Sequence, residues 1–235
     1  MRDSKEEAAM KKIVAVLLMM VVVMCVGTTT VQAADTTEDT SKVSADKVLK
    51  KAVKYINKTT SLSFMYERSI KVGTQGKSNK MLGVEICDNT GKSLLSGVYT
   101  EYSAYGGFAF EEPAVYRMGE ENYEYLFEGQ WYFVDVDNEA RVHAMGLKEI
   151  KDILGNIKKP SIKENKKAGT YTIKGKPNKS ASWTNVAITV NKKTGKITGM
   201  ELTFNKTGLP GYEDYEVDWK VKLSGFSYGD SVITF

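Results

Sequence analysis

The run Leu62-Ser63-Phe64-Met65-Tyr66-Glu67-Arg68-Ser69-Ile70-Lys71-Val72 decides the fold class. Leu62, Phe64, Tyr66, Ile70 and Val72 fall on even positions, with Ser63, Glu67, Ser69 and Lys71 between them. A period of two puts the two sets on opposite faces of a pleated chain, so this run predicts a long strand with one face buried. Turn chemistry then recurs at Gly73-Thr-Gln-Gly76, Asn89-Thr-Gly91, Gly119-Glu-Glu-Asn122, Glu128-Gly-Gln130, Asn191-Lys-Lys-Thr-Gly195 and Lys206-Thr-Gly208-Leu-Pro-Gly211. The segments between predict strands near 80–88, 93–104, 107–117, 122–128, 131–137, 170–175, 184–191, 196–205 and 214–224. Connections this short suit hairpins, whereas parallel strands need long crossovers, so the sheet is expected to be an antiparallel meander.

Two helices accompany it. Val48, Leu49, Ala52, Val53 and Ile56 recur three and four apart behind Ser44, a residue able to cap a helix start. Lys47, Lys50, Lys51 and Lys54 form a basic back, read as the solvated face of a docked helix in preference to one lying on a membrane. A second helix is predicted from about Gly146 to Lys158, with Leu147, Ile150, Ile153, Leu154 and Ile157 on one side and Pro160 as its stop. Helices inserted into a meander most simply cover one face. The expected architecture is α+β: a large curved antiparallel β-sheet, a half-barrel of about nine to eleven strands, with the two helices covering its concave face.

Residues 1–33 read as an export signal. Met10-Lys11-Lys12 precedes a 14-residue apolar run from Ile13 to Val26, and Val31-Gln32-Ala33 puts small-residue chemistry where a signal peptidase cuts, so cleavage is expected after Ala33. Either Met1 or Met10 serves as initiator. The apolar run is short of the roughly 20 helical residues that span a bilayer, which favours a cleaved signal over a retained anchor. Ala34 to Lys42 is polar and aperiodic, the composition of a disordered tether, and residues 43–235 are expected to form one domain. Beyond Ala33 there are 29 basic and 26 acidic residues, interspersed, a balance that implies no nucleic-acid partner. Cys87 is the single cysteine after cleavage, so no internal disulfide can form. Its place in the alternating run Met81-Leu82-Gly83-Val84-Glu85-Ile86-Cys87 predicts a buried, inert thiol. Cys25 follows Val22-Val23-Met24, where bulky Met stands in place of the small residue that a lipid-modified cysteine requires.

No catalytic set emerges. Ser44-Ala45-Asp46-Lys47, Tyr55-Ile56-Asn57 and Lys193-Thr194-Gly195 are fragments of the serine β-lactamase signature. Two of them share one helix, however, and the third sits in a polar hairpin turn, so the buried serine and lysine facing a strand cannot be assembled. His143 is the only histidine, which leaves no His pair for zinc and no Cys-His dyad. Asp135, Asp137 and Glu139 alternate like oxygen ligands but lack the glycine and terminal glutamate of a calcium loop. No enzyme activity, cofactor or metal is therefore expected. Thirteen tyrosines and three tryptophans gather partly at Val115-Tyr116, Tyr123-Glu-Tyr125-Leu-Phe127 and Trp131-Tyr132-Phe133. Strand propensity accounts for most of them, with a ligand-facing role for some as the alternative. Apolar residues on both faces of Trp131-Tyr132-Phe133-Val134 suggest a strand covered on both sides.

The order of elements also carries a resemblance. A lysine-rich helix, Ser44 to Asn57, precedes the strand opening Ser61-Leu-Ser-Phe-Met-Tyr66. A Gly129-Gln-Trp-Tyr132 hairpin follows, then a helix, then Asn185-Val-Ala-Ile-Thr-Val-Asn-Lys-Lys-Thr-Gly-Lys-Ile-Thr-Gly-Met-Glu-Leu-Thr203. Over residues 44–224 this resembles the LolA-like group of lipoprotein carriers and their Gram-positive lipoprotein relatives, and the Lys-Thr-Gly hairpin also resembles one in PepSY-type modules. The LolA-like resemblance implies a half-barrel whose apolar cavity, between sheet and helices, holds an acyl chain or other hydrophobic ligand. It supplies no catalytic residue. Relatives of the Gram-positive kind commonly carry a lipid-modified cysteine, and this chain departs from them there. Phe64, Tyr66, Leu82, Val84, Phe108, Phe110, Phe133 and Trp219 are candidate lining residues, chosen as large side chains of the sheet, with Leu49 and Val53 of the first helix as a lid. The expected function is extracytoplasmic, non-enzymatic binding of a lipid or other hydrophobic molecule. The alternative is a cell-envelope module that contacts protein or glycan with its core filled by its own side chains. Partners implied are a hydrophobic small molecule, an envelope protein, and peripheral contact with a membrane.

Overall fold

The alternation at Leu62–Val72 is realised as β1 (Ser61–Val72), in which Leu62, Phe64, Tyr66, Ile70 and Val72 all point inward. This computed structural model describes residues 43–73, 78–103, 108–119, 123–133, 144–205, 216–229 and 233. The chain divides between Ser41 and Lys42, and these residues belong to the second unit. The export signal and tether read over 1–42 lie outside the described residues, as do His143 and the Asp135 to Glu139 run.

From β1 the chain meanders through β2 (Ser78–Asp88), β3 (Ser93–Tyr102), β4 (Phe108–Met118), β5 (Tyr123–Phe127) and β6 (Gln130–Phe133). After helix α2 (Leu147–Gly155) it starts again at the opposite edge with β7 (Ile157–Asn165) and returns through β8 (Thr170–Pro177), β9 (Trp183–Asn191), β10 (Ile197–Phe204) and β11 (Val217–Gly229). β11 closes the circuit by pairing antiparallel with β1. The result is one 11-stranded sheet in the order β6-β5-β4-β3-β2-β1-β11-β10-β9-β8-β7, every neighbour antiparallel and the two ends unpaired with each other. The sheet is curved and unclosed, an α+β half-barrel.

Helix α1 (Ala45–Asn57) buries Ala45, Val48, Leu49, Ala52 and Ile56, the stripe read from the sequence, and α2 buries Leu147, Ile150, Ile153 and Leu154. Both stripes join the inward residues of β1 and β8–β11 in one core. Burial of each large apolar side chain contributes about 1.5–3 kcal/mol, so this shared face holds the helices to the sheet. Ser44 occupies the N-cap position of α1, but its hydroxyl makes no capping bond.

Two expectations need correction. The second helix ends at Gly155, short of the expected Lys158, and residues 157–165 form a strand that is not among those expected from the sequence. Pro160 suggested a helix stop, yet it stands in a sheet. β7 is an edge strand, where a residue without N–H is tolerated, and its pairing with β8 skips between Lys158 and Ser161. The β5–β6 hairpin is also not covered on both sides: Phe133 is 72% exposed and Tyr132 42%.

Gly83 and Gly97 explain how the inner face bends. They sit opposite each other in register, in a cross-strand row that runs Tyr66, Gly83, Gly97, Ala114. A Cβ on Gly97 would lie 2.1 Å from the Leu82 carbonyl oxygen, and one on Gly83 would lie 2.4 Å from that of Ser96. Only glycine permits this approach, which leaves the bulky Tyr66 ring room on the concave side.

Candidate hydrophobic-ligand site

Beneath α1 the inner face is filled by the chain itself. Phe64 and Tyr66 are 1% and 0% exposed, and Phe64 packs on Phe226 with ring centroids 5.3 Å apart. Trp219 stacks on Phe204 at 4.0 Å with the planes 15° apart. Tyr55 of α1 meets Tyr228 edge-on at 5.2 Å, the Lys196 ammonium lies over both rings, and the Tyr228 hydroxyl donates to the Ile197 carbonyl oxygen. Burial pushes the Tyr228 phenol well above its ordinary range. Lys51 of the same helix donates to the Lys193 carbonyl oxygen in the β9–β10 turn, which ties the helix to the sheet at its other side. The Lys193-Thr194-Gly195 segment is that turn, its N–H groups at Lys193 and Thr194 held by the Asn191 side chain.

Buried polar groups fix the second helix. Glu85 points inward from β2 and is fully buried, and its Oε1 accepts from the Ser93 hydroxyl at 2.7 Å and the Gly146 N–H at 2.7 Å. Its Oε2 accepts from the Met145 N–H at 2.9 Å. The first backbone N–H groups of a helix have no partner within it, and here a carboxylate from the sheet supplies one. Burial raises the Glu85 pKa above the ordinary carboxylate range even though Met145, Ser93 and Gly146 pull the other way. Nearby, Arg68 donates to Asn79 at 3.2 Å and lies over the Tyr99 ring, all three inside the core face. Asp88 closes the β2–β3 turn. Its burial alone would raise the pKa, but bonds from Thr90, Ile233 and Lys92 outweigh it and hold the carboxyl below the ordinary range.

Further along the same face the sheet emerges into solvent. Register carries the inward phase from Leu95 on β3 to Tyr116 on β4, Tyr125 on β5 and Tyr132 on β6. Exposure rises along this row: Tyr116 is 8% exposed, Tyr125 36% and Tyr132 42%. Phe127, 55% exposed, joins them on the helix side of the hairpin, 6.4 Å from the Tyr132 ring, and Tyr125 lies 5.6 Å from it. The hairpin turn depends on positive φ at Glu128 (49°) and Gly129 (80°), which fixes the opposition of Tyr125 and Tyr132. On the other side of these strands Arg117 pairs with Glu124 and lies 4.2 Å from the Trp131 ring centroid, so the wing is held from behind by a charged clamp.

The expected lining residues separate accordingly. Phe64, Tyr66 and Trp219 are on the helix side within the packed core, Leu49 is buried beside them, and Val53 is partly buried against it. Leu82, Val84 and Phe133 are on the opposite face. Inward Met81, Gly83, Glu85 and Cys87 set the phase of β2 and leave Leu82 55% exposed outside, while the Phe133–Glu124–Arg117 register does the same for Phe133. Phe108 and Phe110 lie on β4 opposite Tyr102 and Glu101, and their side chains are outside what is described. Tyr125, Phe127 and Tyr132 belong to the aromatic clusters for which a ligand-facing role is the alternative reading, but not to the expected lining set, although the turn that sets their phase is legible as Glu128-Gly129. Nothing in the alternation of β2 marks Glu85 as a helix cap. Clefts among the described residues open on the outer face of the sheet and beside the start of α2.

No protein-family model matches this sequence, and no curated relative matches it. Several solved structures are similar to it in shape. LprF from Mycobacterium bovis is 10% identical, with 80% of this chain and 94% of that one covered at a TM-score of 0.47. The lipoprotein LppX from Mycobacterium tuberculosis is 12% identical over 81% of this chain and 99% of that one, TM-score 0.44. A LolA superfamily protein from Nitrosomonas europaea is 10% identical over 79% and 92%, TM-score 0.30.

Proposed function

We propose that this protein is an extracytoplasmic, non-enzymatic binding protein that holds a lipid or other hydrophobic molecule against the helix-side face of β4–β6. One observation carries the reading: a continuous inner face passes from sealed core at Tyr66 to open aromatic surface at Tyr125, Tyr132 and Phe127. Aromatic side chains exposed in a contiguous group on a concave surface are costly in water and suit an apolar guest. The guest lies beyond the region lidded by Leu49 and Val53, because that region is occupied by native side chains. The extracytoplasmic setting rests on the signal-like residues 10–33.

A second reading is favoured by the same packing. With Phe64, Tyr66 and Trp219 buried by the chain itself, the aromatic wing would serve a protein or glycan of the cell envelope, with no small molecule involved. Native mass spectrometry of protein purified from its own host, before and after denaturing extraction, separates the two. The proposal expects a co-purifying hydrophobic mass that is lost in a Tyr125→Ser, Phe127→Ser, Tyr132→Ser variant of unchanged fold. A clean protein mass that also fails to retain an added long-chain fatty acid overturns it in favour of the interaction module.

A further inference from the structure

We propose that the outer face of the β7–β8 hairpin docks the protein on an anionic phospholipid bilayer. Residues 157–179 hold eight lysines, no arginine and a single acid, Glu164. Glu164 pairs with Lys192 of the neighbouring turn and lies near Lys166, so this single acid offsets little of the hairpin's charge. Lys158, Lys159, Lys163, Lys174 and Lys176 are all exposed.

Four of them converge. Lys158, Lys159, Lys174 and Lys176, with Ser161, Asn185 and Thr203, line an open cleft of about 540 Å³ on the outer side of β7–β10, where Glu201 is the acid of the lining. Glu201 itself stands opposite Lys222 in register. Lys158 and Lys176 are direct cross-strand partners, an arrangement that destabilises a sheet when both residues carry the same charge. The strand keeps this repulsion at its edge, and Lys159 there adopts φ 43°, a conformation that a side-chain-bearing residue reaches at some cost. An anion lying across the face relieves both the repulsion and the uncompensated charge.

A lipid surface fits better than a discrete ligand. Lysine ammonium groups act as hydrated point charges, without the planar fork that grips one phosphate in fixed geometry. Exposed lysines spread over a hairpin match a diffuse layer of headgroups. Val186, the one branched aliphatic residue at the cleft, turns its side chain into the core on the other face, so attachment at this face is electrostatic, reversible and weakened by salt. The site is separate from the aromatic wing and does not depend on what that wing binds.

The test is cosedimentation of the intact protein with vesicles of phosphatidylcholine alone or with about one third phosphatidylglycerol. Binding is expected only to the anionic vesicles and is lost at high salt. The variant K158Q/K174Q/K176Q should bind roughly a hundredfold more weakly, because each surface lysine contributes a several-fold factor. K47Q/K50Q/K54Q on the exposed back of α1, with the same loss of charge, should bind like the unmodified protein. Equal binding to neutral vesicles overturns the proposal, and so does an equal loss in the α1 variant. Capture of a soluble phosphodiester polymer without vesicle binding also overturns it and makes the face a polyanion site. Because the lysine variants leave the aromatic wing intact, ligand retention measured on the same samples reports on the two sites separately.

Discussion

Replacing Glu85 should uncouple α2 from the sheet. Its carboxylate is the acceptor for the Met145 and Gly146 N–H groups and the Ser93 hydroxyl at 2.7–2.9 Å, in a site with no solvent exposure. Glu85→Ala leaves two buried backbone donors without this acceptor, at about 1–3 kcal/mol each, while removing a buried carboxylate returns part of that cost. The expected net destabilisation is about 2–4 kcal/mol, read as a lowered urea midpoint in tryptophan fluorescence. Glu85→Gln keeps the shape and one acceptor and should cost less. It also isolates the titration. Burial raises the folded-state pKa above the ordinary glutamate value of 4.5, so the folded chain binds this proton more tightly than the unfolded chain. The resulting stability is complete below the unfolded pKa and is lost as pH rises through the folded value. The gap in stability between the unmodified protein and the Gln variant should therefore narrow as pH rises from the acid side. Parallel stability curves for the two, or an Ala cost under about 1 kcal/mol, would refute the assignment of Glu85 as the buried cap of α2.

Two further outcomes follow from the packing. Gly97→Ala places a methyl group 2.1 Å from the Leu82 carbonyl oxygen. Denaturant unfolding should show a loss of at least about 2 kcal/mol, and an unchanged midpoint would contradict the close approach of β2 and β3. Trp219→Ala empties the stack on Phe204 and should cost about 3–5 kcal/mol in the same assay, whereas a cost under about 1 kcal/mol would mean that the inner face beneath α1 is not filled as described.

The fold was legible because its determinants are local. Alternation at Leu62–Val72, the stripe Val48 to Ile56 and the glycine-marked turns each dictate a piece of backbone, and short connections leave a meander as the simplest assembly. The edge strand β7 was not legible, since Pro160 reads as a helix stop wherever its strand neighbours are unknown. The site was harder still. Period-two alternation says that Leu82 and Met81 face opposite ways, but which one faces the helices depends on the register of β2 with β1. A single-residue error in that phase sends Leu82 and Val84 outside. At the β5–β6 hairpin, Phe133 attracted attention by size alone, whereas the Glu128-Gly129 turn already opposes Tyr125 to Tyr132 and could have selected them. Glu85 lay beyond reach because its partners, Met145 and Gly146, are 60 and 61 residues away in the chain.

Where an apolar guest sits on this sheet decides what the protein does. Backbone amide NMR of delipidated protein, titrated with a long-chain fatty acid kept below its aggregation threshold, locates it directly. Shifts confined to the strands bearing Tyr116, Tyr125, Phe127 and Tyr132 are predicted. Shifts centred on Leu82 and Phe133 of the outer face, or none at saturating ligand, would contradict it.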